Sequence, residues 1–239
     1  MILRLPTPLH GWRAFFGEVG VVVLGVLIAL GASQFITRRE QRQLSRDAHV
    51  NVQAEIAEAL GRMAVRVALQ PCVDRRFDEI SAALKAADRG EPSQPFAWIG
   101  RPSFWTLSDA RWQTASSSGA AFLFDPDEQA QYSFIYSGIR DFMEHERQEQ
   151  AAWSQLRSLT EIRHLEAPQR AYLNQALQAA RYASFRMTVI FDQRLDAAKK
   201  LGIAPKANTQ PVPRSICIDR NAPREVVNAE NGTKFREPD

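Results

Sequence analysis

The sequence is poor in the residues on which many catalytic and metal sites depend. Its 239 residues include only two cysteines and four histidines. Two cysteines are too few for a disulfide-rich scaffold or for a four-cysteine zinc site. The net formal charge is +3, from 30 lysines and arginines against 27 aspartates and glutamates. So small an excess gives no support for binding to nucleic acid, which needs a clustered basic face.

Sequence motifs for catalysis are missing as well. There is no Gly-rich phosphate loop and no GxSxG nucleophile elbow. The segment 145–149 resembles the start of a zincin motif, but Glu149 stands where the second histidine is required. Asp141, His145 and Glu149 are spaced along one helical face that a metal could use, although a solvated charged face is the simpler interpretation. We therefore expect no catalytic residue, no metal and no cofactor.

One long uncharged stretch is present near the N-terminus. From Val19 to Thr37 there are 19 residues without a charge, flanked by Glu18 and by Arg38. A helix of this length spans roughly 28 Å, which is about the thickness of the hydrocarbon core of a bilayer. Charges at both ends and none between them are typical of a membrane-spanning helix, because a charge at mid-bilayer is costly. The stretch predicts a single-pass anchor with the lipid bilayer as a partner.

Two alternatives to a permanent anchor stay open. The stretch could be a buried helix of a soluble domain, although such helices seldom run this long without a charge. It could also be a cleaved signal peptide, since Ala29-Leu30-Gly31-Ala32 offers small residues for a cleavage site. The basic flank that follows is more typical of a stop-transfer segment. A mature protein that begins near Ser33 would have lost the anchor.

Small residues recur at every fourth position of the apolar stretch. Gly25, Ala29 and Ser33 lie on one face of a helix, and small residues at this spacing allow two membrane helices to approach closely. We consider this a candidate helix-pairing face, for a second copy of the chain or for another membrane protein. Small residues are also common in membrane helices that do not pair.

Beyond the anchor the hydrophobic pattern is helical almost throughout. A first apolar stripe should continue the membrane helix outward as a stalk as far as Pro71. A second helix should follow and end at Gly90. Asp125-Pro126 predicts the start of a third helix, and Glu128 is placed to complete a capping box with Asp125. The stripe of the stalk consists of Leu44, Ala48, Val52, Ile56, Leu60, Met63 and Val67, and that of the second helix of Phe77, Ile80, Leu84 and Ala87.

Two long helices should complete the domain. In the helix from Pro126, the segment 144–150 is polar on every side, which predicts that the helix is unburied or broken there. The last helix should start at Ala167-Pro168 and carry a seam with a spacing close to 3.5 residues, typical of a bundle or coiled coil. Its seam is formed by Leu173, Leu177, Ala180, Ser184, Met187, Phe191, Leu195 and Ala198; the apolar positions before it include Ile135, Ile139, Phe142, Trp153, Leu156, Leu159 and Ile162.

The overall organisation predicted is all-α. Residues 1–18 form a short cytoplasmic segment, 19–37 the transmembrane helix, 38–202 an antiparallel helical bundle and 203–239 an irregular Pro-rich tail. A short helix that carries Trp112 should lie between the second and third long helices, after Ser108-Asp109.

The two cysteines could join the tail to the bundle. Cys72 follows the first stripe and Cys217 lies in the tail, and each begins a Cys-x-Asp-Arg tetrapeptide. A disulfide between them is favoured because the tail has little else to hold it; two independent buried thiols are the alternative. A disulfide implies an oxidising compartment, and hence a domain outside the cytoplasm. The arginines that follow the anchor favour the opposite orientation, although this rule weakens for long translocated domains.

Aromatic residues are concentrated in the Pro-rich region 96–112. Trp98, Phe104, Trp105 and Trp112 could form a ligand pocket or a partner surface, because aromatic side chains offer large contact area at low entropic cost. A plug at the end of the bundle is the simpler interpretation.

The anchor resembles that of a group of uncharacterised bacterial membrane proteins. Those proteins begin with Gly-Glu followed by an apolar helix that ends in a Leu-Ile-Ala-Leu-like stretch, as in 17–30 here, and continue into a helical extracytoplasmic domain. The regions 105–119 and 132–136 are similar to that group too, whereas its Asn-Trp-rich exit is replaced here by residues 33–36. The resemblance implies a single-pass inner-membrane protein with a periplasmic domain, and implies no activity.

These observations favour a non-enzymatic protein that acts in interaction or scaffolding at the cell envelope. The alternative is a periplasmic ligand-sensing module that works through a membrane partner. A polar-lined pocket shared by Trp98, Trp105 and Trp112 would favour sensing, whereas a sealed aromatic plug would favour scaffolding.

Overall fold

The domain is built from α-helices joined by short turns and one long extended loop. The computed structural model describes residues 11–91, 96–160, 164–209, 212 and 215–222. Within these ranges no β-strand occurs, which confirms the all-α prediction. The helices are α1 (Gly11–Ala68), α2 (Gln70–Asp88), α3 (Ala110–Ser117), α4 (Pro126–Leu156) and α5 (Ala167–Lys200), with 3₁₀ turns at Ala120–Leu123, Arg157–Thr160 and Ser215–Cys217.

Helix α1 joins the apolar segment to the folded domain without a break. Its portion from Phe15 onward is long and apolar enough, by length and composition, to cross a membrane, and the apolar window is fully exposed. Further along the same helix, Val52, Ile56 and Met63 are fully buried in the bundle. The prediction that the apolar helix continues into the helical bundle is confirmed, and from Val52 onward the stripe packs into the core instead of forming a free stalk.

Helix α2 stacks end to end on α1. It begins at Gln70 with Pro71 in its first turn, where a missing backbone N–H costs nothing. Its predicted apolar positions Phe77, Ile80 and Leu84 are buried. Gly90 follows the helix with φ of +71°, a conformation that suits glycine as a helix stop.

Helices α4 and α5 run in opposite directions beside the α1–α2 column. Arg66 of α1 contacts both Glu149 of α4 and Ser184 of α5, while Gly138 of α4 faces Arg194 of α5. The α4–α5 pair is thus antiparallel, as predicted. Helices α1 and α4 run parallel instead, because the long connection between α2 and α4 returns the chain to the end of the domain nearest the apolar segment.

The interior contains two hydrophobic clusters, one above the other. The cluster nearer the apolar segment includes Ile56, Met63 and Tyr136, and the distal cluster includes Phe77 and Trp153, whose rings stack with centroids 5.2 Å apart. The residues of α1, α4 and α5 that lie between these clusters are polar. The predicted seam of α5 lies in the interior, since Leu173, Leu177, Ala180, Ser184, Met187, Phe191 and Ala198 are buried and Leu195 packs against the core.

The predicted helix starts are confirmed in position but differ in detail. Asp125 caps α4 by accepting a hydrogen bond from the backbone N–H of Asp127. The Glu128 carboxylate does not close the predicted capping box; it lies 3.9 Å from Nδ1 of His49 on α1. A full capping box forms instead at α5, between Glu166 and Gln169.

The described part of the tail is held against the bundle. The backbone N–H of Lys206 donates to the carbonyl oxygen of Ala57, at 2.7 Å. A Cβ atom at Gly61 would overlap the carbonyl oxygen of Lys206, so glycine permits this close approach. Ile162, residues 210, 211, 213 and 214, and all of the predicted tail beyond residue 222 lie outside the described residues.

Candidate functional site

A buried ion pair lies between the two hydrophobic clusters. Arg66 and Glu149 have 1% and 0% of their side chains exposed. Arg66 Nε donates to one carboxylate oxygen of Glu149 at 3.2 Å, and Nη2 donates to the other. Such a bidentate pair fixes the two helices in both distance and orientation. It crosses directly from α1 to α4.

Two neutral side chains complete the hydrogen bonding of the pair. Arg66 Nη2 also donates to Ser184 Oγ at 3.2 Å, and Nη1 donates to Gln70 Oε1 at 3.3 Å. The Ser184 hydroxyl in turn donates to the same Gln70 oxygen, at 2.9 Å. The pair therefore connects α1, α2, α4 and α5 at a single level of the bundle.

A second buried carboxylate lies one turn before Glu149. Glu146 is buried and accepts a hydrogen bond from the backbone of Trp105. Burial raises its pKa to about 7, with a smaller rise from the negative charge of Glu149, against the lowering by Trp105 and Arg66. Burial also raises the pKa of Glu149, which Arg66 opposes. We call Arg66, Glu146 and Glu149 the charged layer.

The charged layer corrects the prediction for segment 144–150. Helix α4 is neither broken nor fully exposed there, because Glu146 and Glu149 face the interior while Glu144 and Arg147 face solvent. One arginine and two glutamates leave one negative charge in a poorly hydrated place, and binding of one proton makes the layer neutral.

The stability of the domain should depend on pH through Glu146. The folded state holds a proton on Glu146 between pH 4.5 and about 7, whereas the unfolded state has lost it. Glu146 should therefore contribute a fall of up to about 3 kcal/mol in the free energy of unfolding as the pH rises through this window. Urea unfolding at pH 5 and pH 8 measures the fall.

The variant Glu146→Gln isolates this contribution. It keeps the size and a hydrogen-bond acceptor of the side chain but does not titrate, so its free energy of unfolding should decline less over the same interval. Equal declines in the two proteins would show that Glu146 is not the responsible group. The exposed substitution Glu144→Gln serves as the matched control on the same helix.

A second buried arginine gathers three separate segments at the distal end. Arg76 of α2 donates through Nη1 to the carbonyl oxygens of Trp98 and Ile99, at 2.6 and 2.8 Å, and through Nη2 to that of Ile218. Glu79 places a carboxylate oxygen 2.9 Å from its Nε. Arg76 thus fixes the start of the long loop and the tail to α2.

The predicted disulfide is confirmed beside this arginine. Cys72 and Cys217 are bonded, with their Cα atoms 4.9 Å apart. Arg75 donates to the carbonyl oxygen of Cys217 at 2.6 Å. The two Cys-x-Asp-Arg tetrapeptides meet here but are used differently, since Arg220 lies over the ring of Phe96 at 4.9 Å.

We call the disulfide and the adjacent Arg76 the clasp. The loop from residue 96 to residue 109, which we call the strap, runs from the clasp back along the bundle. Gln150 donates to the carbonyl oxygen of Pro102 at 3.2 Å, and Arg62 donates to that of Thr106 at 2.7 Å. Between these points the backbone of Trp105 reaches Glu146. The strap therefore covers the charged layer.

A buried glutamate receives the end of the strap. Glu55 of α1 accepts hydrogen bonds from the Ser108 hydroxyl at 2.8 Å and from the backbone N–H groups of Arg111 and Trp112 at 3.1 and 3.3 Å. Its carboxylate thus caps α3, a role that sequence analysis assigned to Ser108 and Asp109. Tyr136 also donates to it at 2.8 Å.

The predicted aromatic surface is divided among three places. Trp98 lies at the clasp, where its backbone N–H donates to the carbonyl oxygen of Arg220. Phe104 is exposed, and Arg101 lies over its ring. Trp105 lies at the charged layer, and Trp112 stacks on Tyr136 with centroids 5.3 Å apart. The strap and α3 distribute these residues along the bundle instead of gathering them.

The remaining predicted positions are placed as follows. Gly25, Ala29 and Ser33 lie on the exposed apolar part of α1, and no atom lies within 4 Å of a Cβ built at Gly25. Of the three residues considered for a metal, Glu149 is instead paired with Arg66, and His145 lies near Gln148. In the described part of the chain no group of three histidine, cysteine or carboxylate side chains could hold a metal ion.

Comparisons with known protein families, with curated proteins and with solved structures find no match to the chain.

Proposed function

We propose that this protein is anchored by α1 in the bacterial inner membrane and holds its helical domain in the periplasm as a scaffold that binds another protein. The continuity of α1 carries the proposal. One helix passes from the apolar segment into the hydrophobic core, so that Val52 and Ile56 of the anchor helix are themselves core residues. A domain joined to its anchor in this way is held rigidly with respect to the membrane.

The disulfide supports a location outside the cytoplasm. Disulfides such as Cys72–Cys217 persist in oxidising compartments and are rare in the cytoplasm. The arginines that follow the anchor argue for the reverse orientation, but that rule loses force when a long domain is translocated. We therefore give the disulfide the greater weight.

The surface best suited to a protein partner lies between α2 and α5. A groove of about 480 Å³ there is lined by Phe77, Asp78, Arg181 and Phe185. Phe185 is 61% exposed, and Tyr182 beside it is 60% exposed. Exposed aromatic side chains together with arginine are typical of the residues that dominate binding energy at protein interfaces.

The placement of the tryptophans favours scaffolding over ligand sensing. A polar-lined pocket shared by Trp98, Trp105 and Trp112 would favour sensing, whereas these residues contact three separate partners, Arg220, Glu146 and Tyr136. The strap, which carries Trp98 and Trp105, is fixed by carbonyl hydrogen bonds to Arg62 and Arg76.

Site-specific photocrosslinking in intact cells tests the proposal. A photoreactive amino acid at Phe185 should give one discrete crosslinked species, and the same group at Gln113, an exposed residue of α3, should not. When Arg181→Glu or Tyr182→Ala is added to the protein labelled at Phe185, the crosslinked species should disappear. A product of twice the monomer mass would identify the partner as a second copy.

The absence of any product at Phe185, or equal products at Phe185 and Gln113, would contradict the scaffold proposal. N-terminal sequencing of the same purified protein tests the anchor separately. We expect the sequence to start before Val19, and a start near Ser33 would contradict a retained anchor.

A further inference from the structure

The end of the domain nearest the apolar segment carries an exposed apolar tip. The 3₁₀ turn Ala120–Leu123 lies between α3 and α4 and presents Phe122, which is 78% exposed, and Leu123, which is 41% exposed. The two neighbouring alanines, Ala120 and Ala121, are buried in the core, so the turn is held firmly while its two large side chains point outward. We call Phe122 and Leu123 the tip.

The tip faces a row of arginines on α1. Leu123 lines a shallow cavity of about 340 Å³ together with Arg38, Arg42 and Arg46. These arginines are four positions apart and therefore share one face of the helix. Among the described residues no carboxylate lies within ion-pair distance of them.

The carboxylates of α1 lie off this row, and Asp125, which follows the tip, caps α4. Glu40 and Asp47 also belong to α1, but they lie two positions from Arg38 and one position from Arg46, away from the row that is four residues apart. Glu128 faces His49 instead. The cavity wall is therefore positive on one side and apolar on the other.

The position of this cavity along α1 matches the headgroup layer of a bilayer. Arg38 directly follows the uncharged stretch that ends at Thr37, and Arg42 and Arg46 lie about 8 Å and about 14 Å from Thr37 along the helix axis. The headgroup region extends roughly 5–8 Å beyond the hydrocarbon on each side. Arg38 and Arg42 are thus at the depth where arginines meet lipid phosphates, and Leu123 lines the same cavity, at the edge of this layer.

We propose that the tip and the arginine row bind the phosphate headgroups of anionic phospholipids in the leaflet from which α1 emerges. The arginines hold the phosphates, while Phe122 and Leu123 enter the interfacial layer from the side of the domain. The domain then contacts the bilayer at two points, the helix and the tip, which fixes its tilt. This inference rests on the proposed membrane anchor, and it gives the arginines a role on the non-cytoplasmic side.

Depth measurements on the full-length protein test the inference. The native cysteines are bonded to each other, so a single introduced cysteine can be spin-labelled selectively. In vesicles of phosphatidylcholine with phosphatidylglycerol, a label at Phe122→Cys should collide with oxygen more often, and with a water-soluble nickel chelate less often, than a label at Phe185→Cys. Phe185 follows Ser184, which contacts Arg66, so it lies ~40 Å from the end of the uncharged stretch.

The variant Arg38→Gln/Arg42→Gln/Arg46→Gln tests the phosphate contact. It should shift the label at position 122 toward the aqueous values found at position 185. Equal accessibility at 122 and 185 in the unmodified background would overturn the inference, and an unchanged depth in the arginine variant would overturn the phosphate contact. A third label, at Ile28→Cys, separates the two proposals: a lipid-buried label at 28 with an aqueous label at 122 refutes the docking alone, whereas an aqueous label at 28 refutes the anchor.

Discussion

Replacing Glu149 by glutamine should lower the free energy of unfolding by about 3–5 kcal/mol, a large fraction of the stability of an ordinary domain. Glu149 is fully buried and is the carboxylate partner of Arg66. The substitution leaves the guanidinium buried between two hydrophobic clusters, where its remaining hydrogen bonds go to neutral side chains, Ser184 and Gln70, and Glu146 is the one carboxylate left in the charged layer. Urea unfolding of the detergent-solubilised protein, followed by far-UV circular dichroism at pH 8, measures the loss.

Two further variants separate the effect of breaking the ion pair from the effect of removing a carboxylate. Glu144→Gln removes a carboxylate from an exposed pair with Arg147 on the same helix, and it should have little effect. Arg66→Met/Glu149→Leu removes both charges and keeps the volume, so it should recover much of the stability lost by Glu149→Gln. If Glu149→Gln proves as stable as the unmodified protein, the pairing of two charges is the wrong description of this centre.

The charged layer is the part of the interior that could not be predicted from the sequence. Helical periodicity identified the apolar positions of α2 and α5 correctly, because burial of such side chains needs no specific partner. Segment 144–150 looked solvated because glutamates seldom enter a core unpaired. The partner that permits burial, Arg66, is 83 residues away from Glu149, and the local pattern carries no signal of that pairing.

The start of α3 shows the same limit on a smaller scale. Ser108 and Asp109 are residues that commonly cap helices, and the helix does begin directly after them. The backbone N–H groups of its first turn nevertheless bind the carboxylate of Glu55, more than 50 residues earlier in the chain. The position of the helix followed from local chemistry, while its capping group came from tertiary packing.

The strap explains why clustering of aromatic residues in sequence did not become clustering in space. Residues 96–109 contain no helix and extend along the bundle, so neighbouring aromatic residues in the chain end far apart. The contacts that hold the strap extended are carbonyl hydrogen bonds to Arg62, Arg76 and Gln150. Backbone carbonyls are present at every position, so the sequence of the strap does not disclose them.

Removing the disulfide should have the second large effect. Cys72 and Cys217 close a loop with a sequence separation of 145 residues. The chain-entropy description of such a loop gives a stabilisation of up to about 5 kcal/mol, and measured values for native disulfides are commonly about 2–5 kcal/mol. The variant Cys72→Ala/Cys217→Ala should lower the free energy of unfolding by an amount in that range, measured by urea unfolding without reductant.

The structure also predicts where the loss begins. Cys217 adjoins Ile218, whose carbonyl oxygen is held by Arg76, and the same arginine holds Trp98 and Ile99 at the start of the strap. Loosening of the tail should therefore expose backbone amides of residues 96–99 and 215–222 to hydrogen exchange before those of α4. Protein reduced with a thiol should behave like the double-alanine variant, whereas that variant itself should not respond to the thiol.

A uniform increase of exchange across all helices would contradict this order of events, since it would mean that the disulfide acts on the whole bundle at once. An unchanged free energy of unfolding after complete reduction would contradict the prediction that the disulfide stabilises the domain. In that case Arg75 and Arg76, which bind the carbonyl oxygens of Cys217 and Ile218, would hold the tail without covalent help. The substitution Arg76→Met in the reduced protein tests this explanation. It should release the tail if the arginine contacts alone hold the tail in place.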